Sequence, residues 1–530
     1  MKIINVLRSV RAEQLQRIDP SWVGRLIQIA TILFYTSLLF HSIEWSLFGI
    51  DRFEVKLTMI TFPLLLIVWG FTLFYTPRSL TKEEKFFYTV ATIYGASQFV
   101  SLIHSPYPMQ SLVQGIIVAS LLIMMVVISW LVRDKKLMHA MYTVMGIAAL
   151  VWGFSEFGFY QLFIDITARL GQPGTIFIPY WQGDSASFGD VLLFVTGPVY
   201  WIFFQMANKR IGRYAIWVLI PIWLHLFTLT YTKALILAAL LFFVVGMVLL
   251  RGSVRRIMVI SSILFVLLNI RTGSILGYEQ KSIAGLRIAY QRLTTPTPPP
   301  VEPPPAPTPT PTPPPVEPPP APTPTPTPPP VEPPPAPTPA EAAQAKEYQR
   351  ELLLTRFNPF TSYGSNSMLV RWKAMRVSVA GSLDYFFFGH GAGLSQALLP
   401  KLAEAFDSKL SEEERVQYEF DNLYGPKVNS SIIDAHNLFL TEFFNVGIIG
   451  ALALVGLVLR VIKLQIDILR RKSLRHDPII VLSISVFAAL LLYRMAGSYI
   501  VVPYFWVMLG VLFGLSEGIN RMSVAQAQNG

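Results

Sequence analysis

The sequence contains no cysteine among its 530 residues. That excludes disulfides, thiolate metal sites, iron–sulfur clusters and a cysteine nucleophile. Charge is scarce as well, with 14% of residues Asp, Glu, Lys or Arg, against roughly 25% in an average soluble domain. A soluble multidomain enzyme of this length is thereby ruled out. Neither an HExxH pair nor EF-hand spacing occurs, so two common metal-binding frameworks are also missing.

What the chain does have is apolar length. Hydrophobic residues make up 52% of it, and runs of about 20 residues recur, each long enough to cross a bilayer as a helix. Twelve spans are expected, near 24–50, 57–76, 86–103, 111–132, 140–162, 188–206, 214–230, 234–250, 256–270, 436–460, 478–494 and 499–516. The first is too long for a signal-peptide core and has no A-x-A-like cleavage site, so a retained anchor is expected. The fold class read from this pattern is all-α integral membrane.

The excess of 43 Lys and Arg over 32 Asp and Glu gives a net charge of +11, and its distribution explains it. Alternate loops carry the clusters Arg78/Lys82/Lys85, Arg133/Lys135/Lys136, Lys209/Arg210/Arg213, Arg251/Arg255/Arg256 and Arg460 through Arg475. With the two termini this set holds 23 basic residues, whereas the short loops between them hold five. Basic loops stay in the cytoplasm, so both termini are expected there, in a multi-pass protein of the cytoplasmic membrane. The charge is a topology signal, and no nucleic-acid partner is expected.

The chain therefore divides into spans 1–9 (residues 1–270), an extracytoplasmic loop (271–435), spans 10–12 (436–516) and a cytoplasmic tail (517–530). The loop contains 14 basic and 16 acidic residues. Within it, 296–339 repeats with a period of 15, headed by Val301-Glu302, Val316-Glu317 and Val331-Glu332. Proline fills 27 of those 44 positions, so helix and sheet are excluded and a disordered, polyproline-II-like segment is expected. Straight, it would reach on the order of 130 Å. It reads as a repeat expansion tolerated in an exposed loop, as a wall-crossing spacer, or as a threonine-rich glycosylation target. Glu341–Phe357 and Leu399–Tyr418 are rich in helix formers. Met368, Trp372, Met375 and Val379 form a stripe at helical spacing after the possible cap Ser367. These pieces are expected to pack as a small cap.

Polar residues collect where even-numbered spans begin on the outer side: Ser185, Ser187 and Asp190; Thr232 and Lys233; Asp434, His436 and Asn437. Helix starts offer unpaired N–H groups and suit an anion such as a diphosphate. His436, placed in the first turn of span 10, can act as a base or simply cap the helix. His225 lies near mid-membrane and reads as a packed interhelical bond. Gly389-His390-Gly391-Ala392-Gly393 does not follow a strand of a βαβ unit, so a tight loop is expected rather than a nucleotide site. Arg371, Arg376 and Lys233 are the outer-side cations, available to phosphates or to surface acids. Glu442, inside span 10, requires a partner or a polar cavity, and Arg494 is a candidate partner.

The run His436-Asn437-Leu438-Phe439-Leu440, followed by Gly447 and Gly450, resembles the signature of the O-antigen ligase and polymerase superfamily. Arg371-Trp372-x-x-Met375 leading to Phe388-Gly389-x-Gly391-x-Gly393 is similar to its second landmark, and the resemblance covers about 215–460. It implies a GT-C-like bundle and a metal-independent glycosyltransferase without a cofactor. The donor would be a polyprenyl (undecaprenyl) diphosphate-linked glycan, and the acceptor a hydroxyl of a glycan, a lipid or a protein. His436 would activate that hydroxyl. Arg371, Lys233 and Arg376 would hold the diphosphate or donor sugar, with Asn437, Asp434 and Glu442 in support. Many members carry Ser-Arg-Gly where this chain has Thr232-Lys233-Ala234, and lysine keeps the charge but not the bidentate grip.

Ligase or polymerase is the favoured pair of activities, with a protein O-oligosaccharyltransferase of the same family as the alternative. A twelve-span secondary transporter is the reading from another class. It predicts two similar halves with broken helices, and no such pair stands out in the sequence.

Overall fold

In the computed structural model the described residues are 20–40, 45–46, 54–55, 57–75, 79–169, 185–228, 233–271, 362–409, 435–496 and 502–529. Nearly all are helical. In chain order the helices are α1 (Pro20–Ser37), α2 (Leu57–Tyr75), α3 (Lys82–Val100), α4 (Pro108–Leu131), α5 (Lys135–Arg169), α6 (Ser185–Ala207) and α7 (Arg210–Thr228). They continue as α8 (Lys233–Leu249), α9 (Gly252–Arg271), α10 (Ser362–Asp384), α11 (Ser395–Lys409), α12 (Leu438–Arg470), α13 (Pro478–Ala496) and α14 (Pro503–Asn529).

A helix occupies each of the twelve expected intervals. Among the described residues seven helices are long and apolar enough to cross a membrane, including Pro108–Leu131, Leu438–Arg470 and Pro478–Ala496, and Ile60–Leu73 and Ala234–Leu249 are shorter apolar helices. Large apolar side chains also face outward, including Ile60 (61% exposed), Val151 (65%) and Val248 (67%). In water such a surface would aggregate, whereas in lipid it is solvated. The protein is an all-α, multi-pass membrane protein.

Local chemistry sets many of the boundaries. Proline opens α1, α4, α13 and α14, where its fixed φ suits the first turn and its missing N–H has no partner to lose. Thr81 and Glu84 form a reciprocal capping box on α3, with Glu84 N–H to Thr81 Oγ1 at 3.1 Å and Thr81 N–H to Glu84 Oε2 at 2.8 Å. The same Glu84 carboxylate, fully buried, is ion-paired to Arg133 and Arg521. Thr81 Oγ1 donates to Glu517 Oε2 at 3.0 Å. These contacts tie α3, the end of α4 and α14 together at the end expected to face the cytoplasm.

The last helix is the core of the bundle. Residues 503–519 are all buried, and Gly510, Gly514 and Gly518 recur every four residues on one face. A Cβ at each would collide with a backbone oxygen of the α4 side, of Met125, Ser129 and Arg133 in turn. Small residues at that spacing let two helix backbones approach closely, which is how helices associate where burial from water no longer drives packing.

Three expectations are corrected. The first apolar run is not one helix over 24–50. It ends with a 3-10 turn at Leu38–Phe40, and Trp45–Ser46 pairs antiparallel with Glu54–Val55. The last helix runs to Asn529, so most of 517–530 is helical. In α10, Ser367 lies within the helix and is not its cap. Buried residues of α10 include Lys373, Ala374, Val377, Ser378, Gly381 and Ser382, while Val379, part of the expected stripe, is exposed. Gly381 lies close against Phe444 and Leu402.

α11 and nearly all of α10 belong to the same compact unit as the bundle. The proline repeat and Glu341–Phe357 lie outside the described residues.

Candidate functional site

The histidine motif builds a helix start. Asn437 has extended backbone (φ −153°, ψ 122°) and is the N-cap of α12. Its side-chain oxygen accepts from Phe439 N–H at 3.1 Å and Leu440 N–H at 3.2 Å. His436 therefore sits just outside the helix rather than in its first turn. Its φ of 47° places it in the left-handed region, the one non-glycine residue with positive φ among the described residues. Two of the helix's orphan donors are consumed by Asn437, so this start is less open to an anion than expected. We expect Asn437→Ala to lower stability by about 1 kcal/mol and Asn437→Gly by only a few tenths, measured as thermal unfolding in detergent.

One and a half turns on, Glu442 is 1% exposed. Its partners are not Arg494. Tyr94 donates to its Oε2 at 2.6 Å and Gln98 at 3.3 Å, both from α3, and Asn445 Nδ2 approaches Oε1 at 3.4 Å. Arg494 instead pairs with Asp190, with both side chains buried. Each intramembrane charge has met a polar group, but the pairing follows helix adjacency rather than sequence proximity.

Beyond Glu442 the helix breaks. Gly447 adopts φ 72°, ψ −176°, a conformation essentially confined to glycine. The loop after α10 enters the break. His390 N–H donates to Phe444 O at 3.0 Å, Gly391 N–H to Asn445 O at 2.9 Å, and Ile448 N–H to Phe386 O at 2.8 Å. The carbonyls and amide freed by the break are thus satisfied by the loop backbone. Gly389, Gly391 and Gly393 all have positive φ, as a tight loop requires. A Cβ on Gly389 would meet the Asn445 carbonyl, and one on Gly447 the Phe387 carbonyl. Asn445 also accepts from Ser395 N–H at 3.1 Å.

His390 lies inside this junction. Its ring stacks on Phe444 at 4.3 Å between centroids, and Nε2 is 2.9 Å from Gly381 O. Burial lowers its pKa from the usual 6.5, against the opposing effects of the Gly381 hydrogen bond and the Asp384 charge. The unfolded chain therefore takes up a proton before the folded one does as pH falls. Stability associated with the docked loop is full above about pH 6.5 and is lost as pH drops from there toward the lowered value. Hydrogen-exchange protection of 385–394 in nanodiscs, corrected for the intrinsic pH dependence of amide exchange, should fall between pH 7.5 and 5.5 in the native protein and much less in His390→Phe.

Of the outer-side cations, Arg371 is exposed on α10, and Arg376 lies over the Phe406 ring at 5.4 Å. Lys373 is buried. The face of α10 below them packs on Phe444, together with Leu399 and Ala403 of α11. The helix bearing both arginines is therefore seated on the same half-helix that carries Glu442. Lys233 opens α8, but its side chain, those of Ser185, Ser187 and Trp372, and residues Thr232 and Asp434 lie outside the described residues.

Sequence reasoning missed a cavity of about 300 Å³ beside the docked loop, lined by His104, Ser105, Tyr385, His390 and Lys401 among others. The signal was His390, read only as part of a tight loop. Comparison of the chain with protein-family models and with curated proteins returns no match.

Proposed function

We propose that this protein is a membrane glycosyltransferase that moves a glycan from a polyprenyl diphosphate carrier to an acceptor hydroxyl, as a ligase or polymerase of surface polysaccharide. The observation that carries the reading is the docking of the two segments that resemble the O-antigen ligase and polymerase superfamily. The glycine loop 389–393 is hydrogen-bonded into the break of the helix that His436 and Asn437 open. Residues more than forty positions apart thus build one structure.

In this reading the chain has twelve spans in a GT-C-like bundle, with both termini cytoplasmic and His436 at the outer surface. His436 takes the proton of the acceptor hydroxyl as that oxygen attacks the anomeric carbon, and the diphosphate leaves with the electrons of the broken bond. A diphosphate leaving group needs its charge neutralised rather than a proton, and Arg371 with Lys233 supplies that charge. A left-handed backbone at a non-glycine residue costs energy and clusters at functional sites, which supports His436 in this role. The break at Gly447 also favours an enzyme over a transporter, because its freed backbone groups are used by the loop and not left to coordinate an ion.

The test is the lipid-linked glycan profile of the native host with chromosomal His436→Ala at equal protein level. Accumulated carrier-linked single repeat units identify a polymerase, and accumulated long carrier-linked chains a ligase or protein transferase. An unchanged profile with intact surface glycan overturns the proposal.

A further inference from the structure

The cavity beside His390 has no role in the transfer chemistry outlined above, yet its lining is specific. It lies between the 3-10 turn Ser101–His104 at the end of α3, the loop after α10, and α11. One wall is aromatic. The Tyr385 ring is 5.5 Å from His104 and 4.7 Å from His390, so it stands between the two imidazoles, and it is 41% exposed. The apolar part is made by Leu398 and Leu402.

The polar groups are arranged around that wall. Lys401 is exposed, and its ammonium donates to Tyr107 O–H at 3.0 Å, which leaves two further N–H donors. His390 faces a carbonyl through Nε2, and a carbonyl only accepts, so Nε2 carries the proton. Its Nδ1 is then an acceptor as long as the ring is neutral. None of the nine lining residues is acidic, which disfavours a metal cation. A single lysine without arginine or a glycine nest disfavours phosphate alone. Two imidazoles and an ammonium disfavour an acyl chain.

A ligand with one apolar face and a rim of hydroxyls meets every one of these groups. We infer that the cavity is a carbohydrate subsite that holds one pyranose ring of the glycan away from the reacting bond, with Tyr385 as its platform and Lys401 and His390 as its hydroxyl partners. The volume, about 300 Å³, lies at the lower end of the range for small-ligand sites. The inference rests on the proposed glycosyltransferase reading and names a specificity determinant for it. The loop that carries Tyr385 and His390 is anchored to the backbone of the half-helix that begins beside His436, so a sugar held here is registered against the base.

The experiment uses the full-length protein in nanodiscs, with the oligosaccharide repeat unit released from its carrier lipid as probe and inorganic pyrophosphate as control. Isothermal titration should show that the double variant Tyr385→Ala/Lys401→Ala binds the oligosaccharide at least about tenfold more weakly. In transfer assays the same variant should show a KM raised by a similar factor with kcat within about twofold, because a remote sugar contact contributes equally to ground and transition states. Tyr385→Phe, which keeps the ring face, should restore most of the affinity and thereby separates loss of contact from loss of fold. His436→Ala should bind the oligosaccharide as the native protein does. Equal affinity in native and double-variant protein overturns the subsite, as does binding of pyrophosphate in its place. Failure of the transferase reading shows separately, as transfer or a host glycan profile untouched by His436→Ala.

Discussion

Purified protein carrying His436→Ala is expected to transfer glycan roughly 10²- to 10⁴-fold more slowly, the range that a positioned general base contributes. Donor binding should change little, because in the proposed mechanism the imidazole acts on the acceptor hydroxyl and not on the carrier. The backbone at this position needs separate control. His436 has φ 47°, a region that asparagine and histidine enter more readily than alanine. His436→Asn therefore keeps the backbone preference and removes the base, and it should be as slow as His436→Ala without loss of stability. Transfer at the native rate in the asparagine variant would exclude His436 as the base.

The second large effect concerns the broken helix. Gly447→Val is expected to destabilise the protein by roughly 2–6 kcal/mol, combining a glycine-only backbone conformation with overlap against the Phe387 carbonyl. Stabilities of native proteins are of the order of 5–15 kcal/mol, so such a loss removes a large part of the stability margin and should lower the thermal midpoint by many degrees. Gly456→Ala on the same helix is the control. There a Cβ meets only Val90 Cγ1 at 3.5 Å, an ordinary contact, and the change should stay within about 0.5 kcal/mol. Fluorescence-detected size exclusion after stepped heating distinguishes the two. Equal thermal stability of Gly447→Val and the native protein would mean that the helix does not break at this residue.

The fold was legible where it depends on local properties. Each apolar run corresponds to a helix, and proline starts and the Thr81–Glu84 box mark ends that need no knowledge of neighbours. The glycines of 389–393 announced a tight loop for the same reason. Within the candidate site the sequence identified His436, Asn437 and Glu442 as residues a membrane helix has no reason to keep. It misassigned the partner of Glu442, because Tyr94 and Gln98 lie 348 and 344 positions away and nothing local points to them. On α10 the buried residues include Ala374, Ser378, Gly381 and Ser382, small side chains to which a search for large apolar residues gives no weight.

The sequence by itself determined that this is a helical membrane protein, that its basic residues gather in alternate loops, and that one helix begins with a histidine and an asparagine. Those properties are sums over neighbouring residues, and the bilayer reads them segment by segment. Only the tertiary structure decided that Asp190 meets Arg494, that Glu442 is held by two residues of α3, and that a glycine loop fills the break at Gly447. Each of those is a buried polar group seeking a partner in a low-dielectric interior. Which partner it finds depends on which helices become neighbours, and that is a property of the packed bundle as a whole.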